Sequence, residues 1–296
     1  MNRKDADDRS SQPASTEART KSRGFRVGLY FLLLFCGLSV FMISYFTSGE
    51  LNIQTFWVPL LFLATALLMN RTVRFKVYSE IFFAFFIFSF VWLFRHSILD
   101  SYLVHPFYST LNGNVIAQLI DSSLVIASIL VLTKVSGGTF SSIFLRKGNL
   151  RLAVIVGLPV VVIMFSVSVG VAQALGGLFG SQGVNFGYLL TLTPYLLVLS
   201  LSNGIKEELW FRGLFLNKYQ TLLGARLSNF LQAPIFAASL VEAEFAPALL
   251  VLVIIAFTFG LGSGYLMRRT NGILGSSLCE AGFTIPAFLI LISTLK

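Results

Sequence analysis

Charge is what this sequence lacks first: Asp, Glu, Lys and Arg make up only 12% of its 296 residues, and histidine and cysteine occur twice each. Soluble domains carry about a quarter charged residues. Set against 55% hydrophobic side chains, that shortage excludes a soluble enzyme domain, a disordered chain and a coiled coil. The two cysteines, Cys36 and Cys279, both lie inside apolar runs, which excludes a secreted disulfide scaffold. With two histidines and no H-E-x-x-H, the nitrogen-rich ligand set of a zinc site is missing, and no resident metal or cofactor is expected. An oxygen site for Mg²⁺ or Ca²⁺ built from Glu207, Glu208 and Glu280 would fall short of the water and carboxylates that such cations usually keep.

What is present is apolar sequence in blocks. They cover 27–46, 54–70, 77–95, 114–133, 152–175 and 185–202, followed by 228–241, 247–267 and 272–295. About 20 apolar residues rising 1.5 Å each cross a hydrocarbon core, so most of these blocks qualify and 228–241 is the short one. The predicted fold is all-α, a multi-pass transmembrane bundle of about eight to nine membrane helices. Three parts are expected: a polar tail over 1–26, N-terminal transmembrane helices over 27–184, and a C-terminal membrane core over 185–296.

The net charge of +9 does not form a nucleic-acid-binding face. Its cations punctuate the apolar blocks instead, at Arg71, Arg74 and Lys76, at Lys134, Arg146, Lys147 and Arg151, and at Arg268 and Arg269. By the positive-inside rule these joints lie on one side, with the basic N-terminal tail in the cytoplasm of a multi-pass cell-membrane protein. On that topology the His96–His105 stretch is an outside loop, the uncharged 176–184 loop is outside, and Lys206 and its neighbours lie toward the cytoplasmic face. The bilayer is then the first partner; oligomeric state has no signature in the sequence.

Acids at membrane depth are expensive and are usually paired or functional. The densest group lies in Asn203-Gly-Ile-Lys-Glu-Glu-Leu-Trp-Phe-Arg-Gly-Leu-Phe215, where Asn203 is expected to cap a helix. Four residues apart on that helix, Glu208 and Arg212 share a face and can pair, while Glu207 is turned about 100° away. Glu207 could then face a cavity and take a proton from water. The plainer reading is an amphipathic helix lying in the interface, its charges among headgroups. Asp121 suits either a proton path or interhelical hydrogen bonding.

Glu207-Glu208-Leu-Trp-Phe-Arg212-Gly213 resembles the E-E-x-x-x-R signature of the CAAX protease and bacteriocin-processing family of intramembrane endopeptidases. Downstream, Phe259–Gly264, Arg268–Thr270 and Gly272–Leu274 follow in the family's order as a glycine-rich helix, a basic turn and the start of a final helix. The family's F-x-x-x-H appears as Phe236-Ala-Ala-Ser-Leu240 and its H-x-x-x-N as Glu280-Ala-Gly-Phe-Thr284, so both motif histidines are absent. His96 and His105, expected on the opposite side, do not replace them.

The resemblance implies a glutamic-type endopeptidase acting on a membrane-associated peptide or protein. Glu207 would activate water, Glu208 and Arg212 would shape the site, and Glu280 and Thr284 would stand where the family has its electrophilic partners. The alternative is a non-catalytic relative serving as a membrane binding or scaffold protein, with Glu280 simply paired to Arg212. A proton-coupled transporter using Asp121 and Glu207 ranks last, since no internal repeat supports it.

Overall fold

A computed structural model describes residues 12–46, 56–107, 109–176, 184–239 and 247–294. An apolar chain in lipid must satisfy its backbone internally, and helices do so within one segment. The described residues accordingly form nine α-helices and no strand: α1 (Gln12–Phe46), α2 (Trp57–Asn70), α3 (Lys76–Phe94), α4 (Leu111–Val135), α5 (Leu150–Gly176), α6 (Phe186–Glu207), α7 (Leu216–Ala238), α8 (Pro247–Thr270) and α9 (Leu274–Ser293). Six helical runs among them are long and apolar enough to cross a membrane, and α2 is a shorter apolar helix. The protein is an all-α, multi-pass membrane bundle.

Two large apolar cores, and a small one of Phe144, Leu216 and Met267, hold it together. The larger joins α1, α3 and α7 around an aromatic cluster, in which Phe88 contacts Phe41, Trp210, Phe211 and Phe215 at centroid distances between 5.4 and 6.0 Å. Edge-on and offset ring pairs of this kind add packing specificity to burial. The second large core is aliphatic, with Leu189, Leu192, Leu196 and Leu199 of α6 meeting Leu289 and Ile292 of α9. Gly204 lets these two helices approach: a Cβ there would collide with the Ser277 carbonyl oxygen and crowd Ala281 on α9. Small residues at such contacts are how membrane helices reach van der Waals packing without a hydrophobic driving force.

One end of the bundle is tied by backbone contacts between distant segments. Asn149 N–H donates to the Thr270 carbonyl at 2.6 Å, Ile273 N–H to the Phe144 carbonyl at 3.2 Å, and the Asn217 amide to the Ser142 carbonyl at 3.1 Å. The two basic joints, Lys134–Arg151 and Arg268–Arg269, therefore share an end.

Several local expectations change. α1 begins at Gln12, inside the polar 1–26 stretch, where good helix formers follow a Pro13 in the first turn. The His96–His105 stretch is not an open loop: α3 runs on into a π-helical segment, Arg95–Val104, and then a 3₁₀ turn, His105–Phe107. Residues 228–238 of the short block belong to the longer α7, which is broken at Gly224, whose φ of 78° favours glycine.

The Gly204 contact predicts a clear asymmetry. Gly204→Val should cost about 1–3 kcal/mol through overpacking, read as a lowered unfolding midpoint in micelles. Gly262→Ala, where an added Cβ meets nothing, should leave stability unchanged or slightly higher.

Candidate functional site

The twin-glutamate segment lies inside the bundle. Asn203 does not cap a helix; it is buried in the last turns of α6, and its Oδ1 accepts from Gln118 Nε2 of α4 at 3.2 Å. The chain stays helical past Glu207 and widens into a π-helical turn over Glu208–Gly213, marked by Leu214 N–H donating to the Leu209 carbonyl at 3.1 Å. All six residues of that turn are buried, which rules out the interfacial helix. π-turns within α-helices frequently occur at functional sites because they re-aim side chains.

Arg212 is the centre of the site. Its Nη1 donates to Glu208 Oε1 within the turn and to Glu280 Oε2 of α9 at 3.3 Å, all three side chains being essentially inaccessible. Ser263 Oγ of α8 donates to the same Glu208 oxygen at 2.7 Å. The guanidinium lies over the Phe236 ring of α7, 4.2 Å from its centroid, and 5.7 Å from that of Phe259 of α8. A desolvated guanidinium against an aromatic face gains from the ring quadrupole. Four elements thus converge on one cation. Glu208 Oε2 and Arg212 Nε and Nη2 make no protein hydrogen bond, so the cluster keeps unspent polar capacity.

Glu207 is set apart from this lock. It is half-buried and makes neither a hydrogen bond nor an ion pair with the described residues. Its charge lies within Coulombic reach of Glu280 on one side and of Arg95 on the other. Thr284 shares a face with Glu280, but its hydroxyl donates to the Glu280 and Ala281 carbonyls at 3.1 Å, so that donor is committed to its own helix.

A second polar network borders Glu207. Asp121 of α4 accepts from Lys206 Nζ at 2.7 Å and from Arg95 Nε at 2.8 Å, so it ties helices together. His96 Nδ1 lies 3.4 Å from Asp100, and its ring packs 4.5 Å from Trp92, which in turn meets Trp210 of the motif turn. The expectation that His96 sits in a loop is corrected. Because α3 continues as a helix past Phe94, His96 stays against the bundle beside the network that holds Lys206.

Cys279, next to Glu280, is a buried free thiol. Phe236 supplies an aromatic face to Arg212, while Leu240, Glu242 and Glu244 lie outside the described residues. Sequence reasoning missed Ser263, Lys206 and Arg95. The signal for the first was a hydroxyl between two glycines, in Gly262-Ser263-Gly264; for the others, it was that buried cations need a buried acid, which Asp121 supplies.

Five helical elements, a twin-glutamate turn and an arginine shared with the last helix bear comparison with known proteins. Residues 189–285 match the family described as type II CAAX prenyl endopeptidase, Rce1-like. The match runs from α6 through the motif turn, α7 and α8 to Ile285 of α9, and so takes in every partner of Arg212. Over that third of the chain the protein is similar to a family of membrane endopeptidases. No curated protein and no solved structure matches the chain.

Removing one member of the Arg212 lock should differ sharply from replacing it whole. Arg212→Met alone should cost about 3–5 kcal/mol, because two buried carboxyls lose their cation. Adding Glu208→Gln and Glu280→Gln to Arg212→Met should recover most of that loss, measured by tryptophan fluorescence during denaturant unfolding in micelles.

Proposed function

We propose that this protein is an intramembrane endopeptidase that cleaves a membrane-associated peptide or protein, with Glu207 as the base that activates water. The observation that carries this reading is the division of labour between neighbouring acids. Glu208 and Glu280 are both tied to Arg212, whereas Glu207 alone in the motif is half-exposed and uncommitted. A general base must be free to accept a proton, and a carboxylate already saturated by a guanidinium is a poor one.

In this reading Glu207 takes a proton from water as the water oxygen attacks the scissile carbonyl carbon, and later passes that proton to the departing amine. The negative charge that develops on the carbonyl oxygen needs donors, each worth about 3 kcal/mol in systems where one has been removed. Thr284 and Glu280 are occupied in the ways described above. Arg95, a partly exposed cation that donates from Nε to Asp121 and lies 3.9 Å from Asp100 through Nη1, is the group we assign to that role, through the part of its guanidinium that stays accessible.

A second reading has its own support. The occluded Arg212–Glu280 pair is what a structural lock looks like, and it favours a non-catalytic relative that binds membrane proteins without cutting them. One experiment separates the two. Glu207→Gln should lower processing of a cognate precursor by about two to four orders of magnitude while the unfolding midpoint holds, assayed by proteomic detection of uncleaved precursors in membranes. Precursor patterns identical to wild type, with the variant folded, would end the endopeptidase reading.

A further inference from the structure

At the end of the bundle where the basic joints meet, the 140–149 segment, the start of α7 and the C-terminus of α8 enclose a cavity of about 720 Å³. Four arginines line it, Arg146, Arg226, Arg268 and Arg269, and no acid does. None of the four forms an ion pair among the described residues. Three are held in place by neutral groups: Arg146 Nε donates to the Asn271 carbonyl at 2.9 Å, and Arg268 Nη1 donates to the Ala225 carbonyl. Arg269 Nε donates to the Tyr265 hydroxyl at 2.9 Å and stacks on that ring. Four guanidiniums without an acid partner around one hollow, three of them held there, repel each other unless an anion enters, and guanidinium forks match phosphate geometry.

The cavity also opens onto an apolar track. Arg226 and Phe230 are four residues apart on α7 beyond the Gly224 break, so they share a face. Phe257, Leu261, Tyr265 and Arg269 repeat every four residues along α8. The Phe230 and Phe257 rings meet edge to face at 5.5 Å, and Phe230 is half-exposed. A ligand with a phosphate at one end and an acyl chain at the other fits both features; a free phosphate fits only the first. We propose that this cavity binds the phosphate headgroup of an anionic phospholipid, whose chain runs along the α7–α8 face. Basic pockets between membrane helices bind such headgroups by this combination of charge and depth.

The test uses the full-length protein in neutral detergent micelles, titrated separately with a short-chain phosphatidylglycerol, the matching phosphatidylcholine and inorganic phosphate. Thermal midpoints and lipid retention in native mass spectrometry are the readouts. Phosphatidylglycerol should raise the midpoint and be retained, while phosphatidylcholine and phosphate should do neither. Arg226→Gln and Arg269→Gln should each weaken phosphatidylglycerol binding about fivefold and together about 25-fold. Arg71→Gln, a basic residue away from the cavity, should leave it unchanged. Equal effects of the two lipids, an equal loss in Arg71→Gln, or full stabilisation by inorganic phosphate alone would each overturn the proposal.

Discussion

A guanidinium with no water around it needs its charge answered by protein. Arg212 has two carboxyls and two aromatic faces to do so, drawn from the motif turn, α7, α8 and α9. Burying such a group costs several kcal/mol before any interaction is counted, so the surrounding helices must keep their places closely. Gly204 allows α6 to lie against α9 near Ser277, which brings Glu208 and Glu280 to the same nitrogen. Ser263, between two glycines on α8, then reaches the Glu208 oxygen. The small residues of the Rce1-like segment are therefore an electrostatic requirement as much as a packing one: a larger side chain at Gly204 would move a carboxyl away from its cation.

The same logic explains why Glu207 stands alone. The motif turn is flanked by two charge networks, Arg212 with Glu208 and Glu280 on one side and Asp121 with Arg95 and Lys206 on the other. Each is closed by short contacts between different helices, so each fixes its own wall. Glu207 falls between them, next in sequence to a member of both. Its half-exposure follows from geometry: the two residues beside it are anchored in opposite directions, and the side chain between them has no anchored partner left.

Much of this was legible from residue order alone. Several blocks predicted their helices nearly to the ends, as at 77–95 against Lys76–Phe94 and 152–175 against Leu150–Gly176, because length and hydropathy are what the bilayer selects, whereas α1 and α7 begin well before theirs, in sequence too polar to read as a span. The i, i+4 spacing predicted the Glu208–Arg212 contact, because that rule is local. What failed was non-local or conditional. Asn203 reads as a cap only if the helix starts there, and nothing in its immediate neighbours says that α6 runs through it to meet Gln118. His96 and Asp100 read as a loop because polar residues after an apolar block usually mark its exit. The structure keeps them helical, and Asp121, 21 residues beyond Asp100, gives Arg95 a partner at depth. The interfacial reading of Trp210 and Phe211 failed for the same reason, since the aromatic partners that bury them come from α1 and α3.

The missing histidines alter the electrostatics of the site as well as its donor count. Where the resemblance implies a histidine, the chain has Glu280, and a second carboxyl beside Glu208 makes the Arg212 charge the common property of both. A cation shared in that way is inaccessible and has its charge answered by two carboxyls, so it is a weak partner for a developing oxyanion even though its Nε and Nη2 make no hydrogen bond. On the opposite wall, Arg95 and Lys206 meet Asp121, with Asp100 3.9 Å from Arg95, and Arg95 keeps about a quarter of its side chain accessible. In the endopeptidase reading the substrate carbonyl approaches Glu207 from the α3–α4 side, because there two cations answer two acids and one cation is accessible, whereas on the other wall one buried cation answers two acids.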